Sequence, residues 1–239
     1  LMRHLWLRFL VTSTLSPLLY LVAFGYGLGR NMEVEGTPYL DFVIPGIVSL
    51  SVMTVSFQGA GMKLNVDRLF YRAFDELLMA PVSAVSVILG KSLIGVVRGI
   101  LVSGCFVLIG VGVSSMRVTP LVLLALVLSA FLFAFMGVLA ALLARSHQDM
   151  GTIGSLVLTP MTFLGGTFFA TSQFPGWMEV VLYFMPLTHT SRCLRAEALG
   201  ADFPWASLAV LTGLTALLVG ACLACLLYTS DAADELDGV

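Results

Sequence analysis

Charge is what this chain lacks. Of its 239 residues, 11% are Asp, Glu, Lys or Arg and 59% are hydrophobic. A soluble domain is roughly a quarter charged, so this chain has too little polar surface to cover a globule in water. That deficit, with apolar runs of membrane-crossing length, points to an integral membrane protein. Acidic residues are missing altogether from the long apolar runs. A secondary transporter is expected to carry acidic or polar groups near mid-span and broken helices in matched halves; the spans here carry no Asp or Glu, and no halves match. Cysteine is scarce as well. Cys105 and Cys193 stand alone, and Cys222 and Cys225, though spaced as a CxxC, lie at the end of the last apolar run; no Cys/His spacing accompanies them, so the four give no disulfide framework and no metal-ligand pattern. They read as small hydrophobes in a packed bundle.

Catalytic signatures are missing too. There is no HExxH for a metalloprotease and no Gly-x-Ser-x-Gly elbow for a serine hydrolase. "GKS" at Gly90–Ser92 lacks the glycine that a phosphate-binding loop needs five positions earlier, where Val85 stands. His4, His147 and His189 are scattered, without ligand-like spacing. No internal repeat, low-complexity tract or soluble domain interrupts the chain. Any energy source lies elsewhere.

What is present is a series of six spans: Val11–Leu28, Phe42–Ala60, Val87–Val113, Pro120–Ala144, Ile153–Phe169 and Trp205–Leu227. Each can cross about 30 Å of hydrocarbon at 1.5 Å per residue, the fifth at the short limit. Continuous apolar character without period-2 alternation predicts helices rather than barrel strands. The fold class is therefore all-α and polytopic. The even count puts both termini on one side, and the Lys/Arg distribution makes that side the cytoplasm. Arg3, Arg8, Lys63, Arg68, Arg72, Lys91 and Arg145 then lie inside, with Arg30, Arg117, Arg192 and Arg195 outside. The net charge of −2 depends on Asp231, Asp234, Glu235 and Asp237 at the C-terminus. The run "CLLYTSDAADE" (Cys225–Glu235) is similar to a translated sequencing-library adapter, so residues 225–239 are expected to be a foreign tail, leaving one transmembrane domain over 1–227. The chain opens on Leu1 rather than Met, and a natural start further upstream is expected.

Between the second and third spans lies "DRLFYRAFDELLMAP" (Asp67–Pro81), dense in charge for so oily a chain. At 100° per residue, Asp67, Arg68, Arg72, Asp75 and Glu76 share one half of a helical wheel. Val66, Leu69, Phe70, Ala73, Phe74, Leu77 and Leu78 fall essentially in the other, with Tyr71 and Met79 at or inside the polar edge. The pattern predicts an amphipathic helix over about 66–80, lying along the cytoplasmic interface and ended by Pro81. Lipid recognition favours clustered positive charge; three acids beside two arginines suit a protein partner better. An interfacial helix that merely anchors the loop is the competing reading.

Charge inside a span is costly and often functional. Lys91 and Arg98 share a helical face; Lys91 can reach the interface, whereas Arg98 either snorkels or faces a polar cavity on a substrate path. The pairs Gly95-x3-Gly99 and Gly25-x3-Gly29 offer close helix contacts. The long outer loop, 170–204, is largely apolar and too broken by proline to span, so helices at or dipping into the outer interface are expected there. Phe174, Trp177, Tyr183 and Phe184 form a candidate interface belt. His189, Arg192, Arg195 and Glu197 either contact an anionic headgroup or sugar on the substrate path or are simply solvated.

Three segments, "YLDFVIPGIV" (Tyr39–Val48), "FDELLMAPVSAVSVILGKSL" (Phe74–Leu93) and "FLGGTFFATSQFPGWMEVVLYFMPLTHTSRCLRAEALG" (Phe163–Gly200), together with the span pattern, resemble the ABC-2 type permeases. The nodulation-factor and drug-resistance permeases look nearest. The last segment is the most specific, through its Phe-Pro, "PLTH" and "EALG". This resemblance implies a non-enzymatic membrane subunit of an ATP-driven exporter in a bacterial inner membrane. It implies two permease subunits, alike or different, and two separate ATPase subunits that hold the ATP and Mg. The chain itself would bind no cofactor, would contact membrane lipid and would have no nucleic-acid partner. The segment Asp67–Ala80 would be the coupling helix, using Asp67, Arg68, Arg72, Asp75 and Glu76. The loop "ARSHQDM", with Arg145 and Asp149, would be a second contact. The cargo would be amphiphilic, lipid-linked or drug-like. A secondary transporter and a membrane assembly protein that moves nothing are the rival classes.

Overall fold

The computed structural model describes residues 2–28, 33–34, 36–70, 83–114, 116–169 and 175–237. Helix α1 (Met2–Tyr20) continues into a π-helical segment, Leu21–Leu28. A small antiparallel ribbon follows, β1 (Glu33–Val34) against β2 (Thr37–Pro38). Gly36 turns it with φ 76°, a conformation open to glycine at little cost. The Thr37 hydroxyl donates to Val34 O at 2.8 Å across the same turn.

The remaining elements are helices: α2 (Tyr39–Leu69), α3 (Ala84–Val113), α4 (Pro120–Leu143), α5 (His147–Leu164), α6 (Gly176–Tyr183), α7 (Pro186–Leu199) and α8 (Trp205–Asp237). Four of them carry stretches long and apolar enough to cross a membrane: Tyr39–Leu69, Val85–Val113, Pro120–Leu143 and Trp205–Leu227. These contain or closely match the expected second, third, fourth and sixth spans. The first expected span contains a shorter apolar helix, Val11–Gly25. The fifth differs at both ends. Helix α5 starts at His147 because Ser146 caps it, accepting from the Asp149 N–H at 3.0 Å, and it stops at Leu164. "SHQD" carries a Ser-x-x-Asp cap signal, which hydropathy alone passes over.

Helix α2 is the axis of the bundle. It is buried nearly all round and packs chiefly on α3 and α4. Phe42, Phe57, Phe106 and Phe133 are its largest enclosed neighbours and members. Small residues set the spacing. A Cβ on Gly95 would run into Ser56 O and Ala60, and one on Gly137 would strike Phe57 O. Close backbone approach of this kind is how helices associate where water supplies no hydrophobic drive. Gly95 and Gly99 thus serve contact within the chain, both against Ser56. Helix α8 packs on α4 and α7 at the edge and leaves Trp205, Leu217 and Leu227 exposed.

The predicted helix over 66–80 is corrected at its start. Val66–Leu69 form the last turn of α2, which ends with Phe70 N–H bonded to Val66 O at 3.0 Å. Nothing between Ala60 and Asp67 breaks a helix, so α2 outlasts the hydrocarbon run that defined the span. Arg72, Asp75 and Glu76 lie outside the described residues.

Candidate functional site

Antiparallel connections bring the end of α2, the start of α3 and the α4–α5 junction to one end of the bundle. Asp67 organises it. Its side chain is 8% exposed and both carboxylate oxygens are occupied: Oδ1 accepts from Lys63 Nζ and Oδ2 from Lys91 Nζ, each at 2.8 Å. Lys63 is one turn back on α2 and 47% exposed, so its share is screened by solvent. Lys91 comes from α3 and is 18% exposed; that pair ties together the two helices that flank residues 71–82.

Arg68 faces the other way. Its Nη1 donates to Leu142 O at 2.6 Å, Ala141 O at 2.9 Å and Ala144 O at 3.3 Å. The last carbonyls of a helix have no intrahelical donor and carry its negative dipole end, so the guanidinium caps α4. His147 Nδ1 lies 3.1 Å from Asn65 Oδ1, and the His147 ring meets Phe70 edge-on at 6.0 Å. The two expected contact regions, the charged stretch and the loop 144–150, therefore adjoin. Arg145 and Asp149 are exposed there, with the Arg145 N–H donating to Asp149 Oδ2 at 3.2 Å.

Beneath this end, a partly open cavity of about 680 Å³ runs between α1, α2, α3 and α5. Arg98, from the middle of α3, is on its wall. Hydroxyl groups come from Thr12, Ser13 and Ser16 on α1 and from Ser155, Thr159 and Thr162 on α5. Both triplets recur at helical spacing, a signal present in the sequence but masked by the hydropathy of the runs. Gln58 and Thr54 of α2 complete the polar lining. A volume of this size falls within the usual 300–1,000 Å³ range of ligand sites.

At the opposite end the expected outer residues separate. His189 is fully buried. Its Nε2–H donates to Tyr183 O at 2.7 Å, because a carbonyl only accepts, and Nδ1 then accepts from the Ser207 hydroxyl at 3.1 Å. Burial lowers its pKa, and the Arg192 charge adds to the effect against the opposing bond to Tyr183. Arg195 is a staple. It donates from Nε to Phe42 O at 3.2 Å and from Nη2 to Gly166 O at 2.8 Å, with its guanidinium carbon 3.7 Å above the Phe42 ring centre. Ser191 Oγ donates to Gly165 O and the Tyr39 hydroxyl to Phe168 O, each at 3.1 Å. These bonds satisfy carbonyls of the non-helical stretch 165–169, as backbone outside helices requires wherever water is excluded. Arg192 is half-buried, 4.0 Å from Glu179. Glu197 accepts from Thr119 Oγ1 at 2.5 Å. Burial pushes the neighbouring Cys193 thiol up to about 12, so it stays protonated and unreactive. Trp177, Tyr183 and Phe184 of the expected aromatic belt are exposed, and Phe174 lies outside the described residues.

Among the described residues no group of His, Cys, Asp and Glu is placed to hold a metal ion. A family model described as ABC-2 type transporter matches residues 3–199. An inner membrane transport permease, YadH, of Escherichia coli strain K12 is 30% identical over 202 residues, covering 83% of this chain and 78% of that relative. Nodulation protein J of Rhizobium meliloti strain 1021 is 28% identical over 206 residues, covering 82% and 78%. Nodulation protein J of Bradyrhizobium diazoefficiens is 28% identical over 209 residues, covering 84% and 78%.

Proposed function

The chain belongs to the ABC-2 type transporter family as a membrane transport subunit, and from that premise we propose that it is the permease half of an ATP-driven exporter whose hydrolysis is done by a separate ATPase. The bacterial inner membrane is its place, in keeping with the Escherichia coli relative, an inner membrane transport permease. The observation that carries the proposal is the polar end of the bundle. There Asp67 joins α2 to α3, Arg68 joins α2 to α4, and the exposed pair Arg145 and Asp149 stands beside them.

The ATPase seats against this end, which is the cytoplasmic one. Residues 71–80 form the coupling segment, with Arg72, Asp75 and Glu76 as its charged contacts, and Arg145 and Asp149 make the second contact. Asp67 and Arg68 are the root of the handle rather than its grip. A push on the coupling segment enters α2 at its last turn and passes through the part-buried Asp67–Lys91 ion pair to α3 and through the Arg68 carbonyl bonds to α4. ATP-driven closure of two ATPase subunits would then move helices as rigid bodies, opening the cavity beside α2 to alternate sides. Two permease subunits form the working unit. The cargo is amphiphilic: the described lining of the cavity offers hydroxyls, the Arg98 guanidinium and apolar wall together.

Capture of an ABC ATPase subunit by affinity-tagged permease in detergent tests this. Wild type should retain the ATPase. The double variant Asp75→Lys/Glu76→Lys should still insert and purify, yet lose at least tenfold of the captured ATPase activity. Capture unchanged by that double reversal would contradict the assignment.

A further inference from the structure

The cavity wall carries a charge asymmetry that narrows the cargo. Its described lining includes Arg98 and neither Asp nor Glu. The position is deep: Arg98 sits midway along the apolar stretch Val85–Val113. A guanidinium at such depth is retained at a cost in membrane insertion, and residues of that kind mark ligand pathways. Its stem runs beside the Gly59–Gly95 contact of α2 and α3, where a Cβ on Gly59 would lie 3.1 Å from Gly95 Cα and 3.4 Å from Arg98 Cδ.

The hydroxyls answer a second part of the cargo. Thr54 Oγ1 donates to Leu50 O at 2.9 Å and Thr162 Oγ1 to Leu158 O at 2.8 Å. Their protons are committed within their own helices, which leaves the oxygen lone pairs as acceptors at the cavity wall. Acceptors suit donors, such as hydroxyl or amide N–H groups, rather than an anion. Arg98 carries the charge of the described lining, and its guanidinium matches carboxylate, sulfate and phosphate oxygens in a planar fork. Phe57, Met62 and Leu158 supply apolar wall between these groups.

We propose that this cavity is a binding site for an amphiphile whose head carries one oxyanion, held by Arg98, together with hydroxyl or amide donors received by Thr54 and Thr162. The site deepens the permease reading given above by naming the chemical class of its cargo, and it rests on that reading. A cationic amphiphile is disfavoured by the same charge.

The test uses the full chain in phosphatidylcholine nanodiscs, with radiolabelled dodecyl phosphate as probe. Unlabelled dodecyl phosphate, dodecyl maltoside, dodecyltrimethylammonium and inorganic phosphate serve as competitors. Dodecyl phosphate should compete at least tenfold better than the neutral and cationic amphiphiles and than inorganic phosphate. Arg98→Gln should lower probe affinity at least tenfold, and Arg98→Lys should restore most of it. Should Arg98→Gln fail to fold, Thr54→Asp puts a carboxylate on the wall with Arg98 intact and should abolish the preference. A preference that survives both Arg98→Gln and Thr54→Asp overturns the proposal, as does equal competition by the three amphiphiles. Inorganic phosphate competing as well as dodecyl phosphate overturns the amphiphile assignment in favour of a free-ion site. Loss of ATPase capture with this preference intact would count against the permease reading alone, so the two failures are distinguishable.

Discussion

At the scale of single residues, burial decides what a polar group does. His189 is enclosed by Tyr183, Ser207 and its own helix, with a hydrogen-bond partner at each ring nitrogen. Its pKa is lowered by burial first, so the unfolded chain binds the proton more readily than the folded one. Stability therefore falls as pH drops below the ordinary histidine value of about 6.5. It levels off once the pH passes beneath the lowered folded-state value. Thermal unfolding followed from pH 8 to pH 5 should show this slope, and His189→Gln should flatten it. A slope unaltered by that substitution would place the titrating group elsewhere. The sequence leaves His189, Arg192 and Arg195 open between contact with a cargo and simple solvation. It does not reveal that His189 and Arg195 bond to backbone carbonyls of other segments, because those partners lie up to 153 positions away.

Helices make the second scale, and here the charged stretch changes meaning. Periodicity groups Asp67 and Arg68 on one polar arc facing the cytosol, yet both turn inward: one to α3, the other to the end of α4. A helical wheel assigns charge to solvent by default; it carries no record of a lysine 24 residues on. The coupling between α2 and α3 is measurable. A double-mutant cycle on Asp67→Asn and Lys91→Met, read by chemical unfolding of the α2–α3 region, should give an interaction energy of roughly 1–3 kcal/mol. Additive effects of the two substitutions would mean that the pair does not tie the helices. By contrast, the small-residue contacts at Gly95 and Gly99 were visible in the spacing, though the partner, Ser56, was not. The capping serine of α5 was visible too, three residues before Asp149, but lay inside a segment otherwise read as loop.

The whole molecule is a bundle gathered around α2, and its class is the most legible feature of the sequence. Hydropathy alone marks the four long apolar helices, because crossing hydrocarbon demands both length and composition. The cavity was illegible for the opposite reason: the hydroxyls that line it are diluted in apolar runs, and they converge only when α1 and α5 flank α2. Under the proposed function, transport requires that cavity to change sides under the action of a separate ATPase. The most direct measurement uses a single cysteine at Ser155 in a background where Cys105, Cys193, Cys222 and Cys225 are replaced. Labelling by a membrane-impermeant maleimide is followed from each side of proteoliposomes. With the ATPase present, Mg-ATP should switch the side from which Ser155→Cys is reached, and without the ATPase it should switch nothing. Labelling that is the same with and without ATPase and nucleotide would contradict the account.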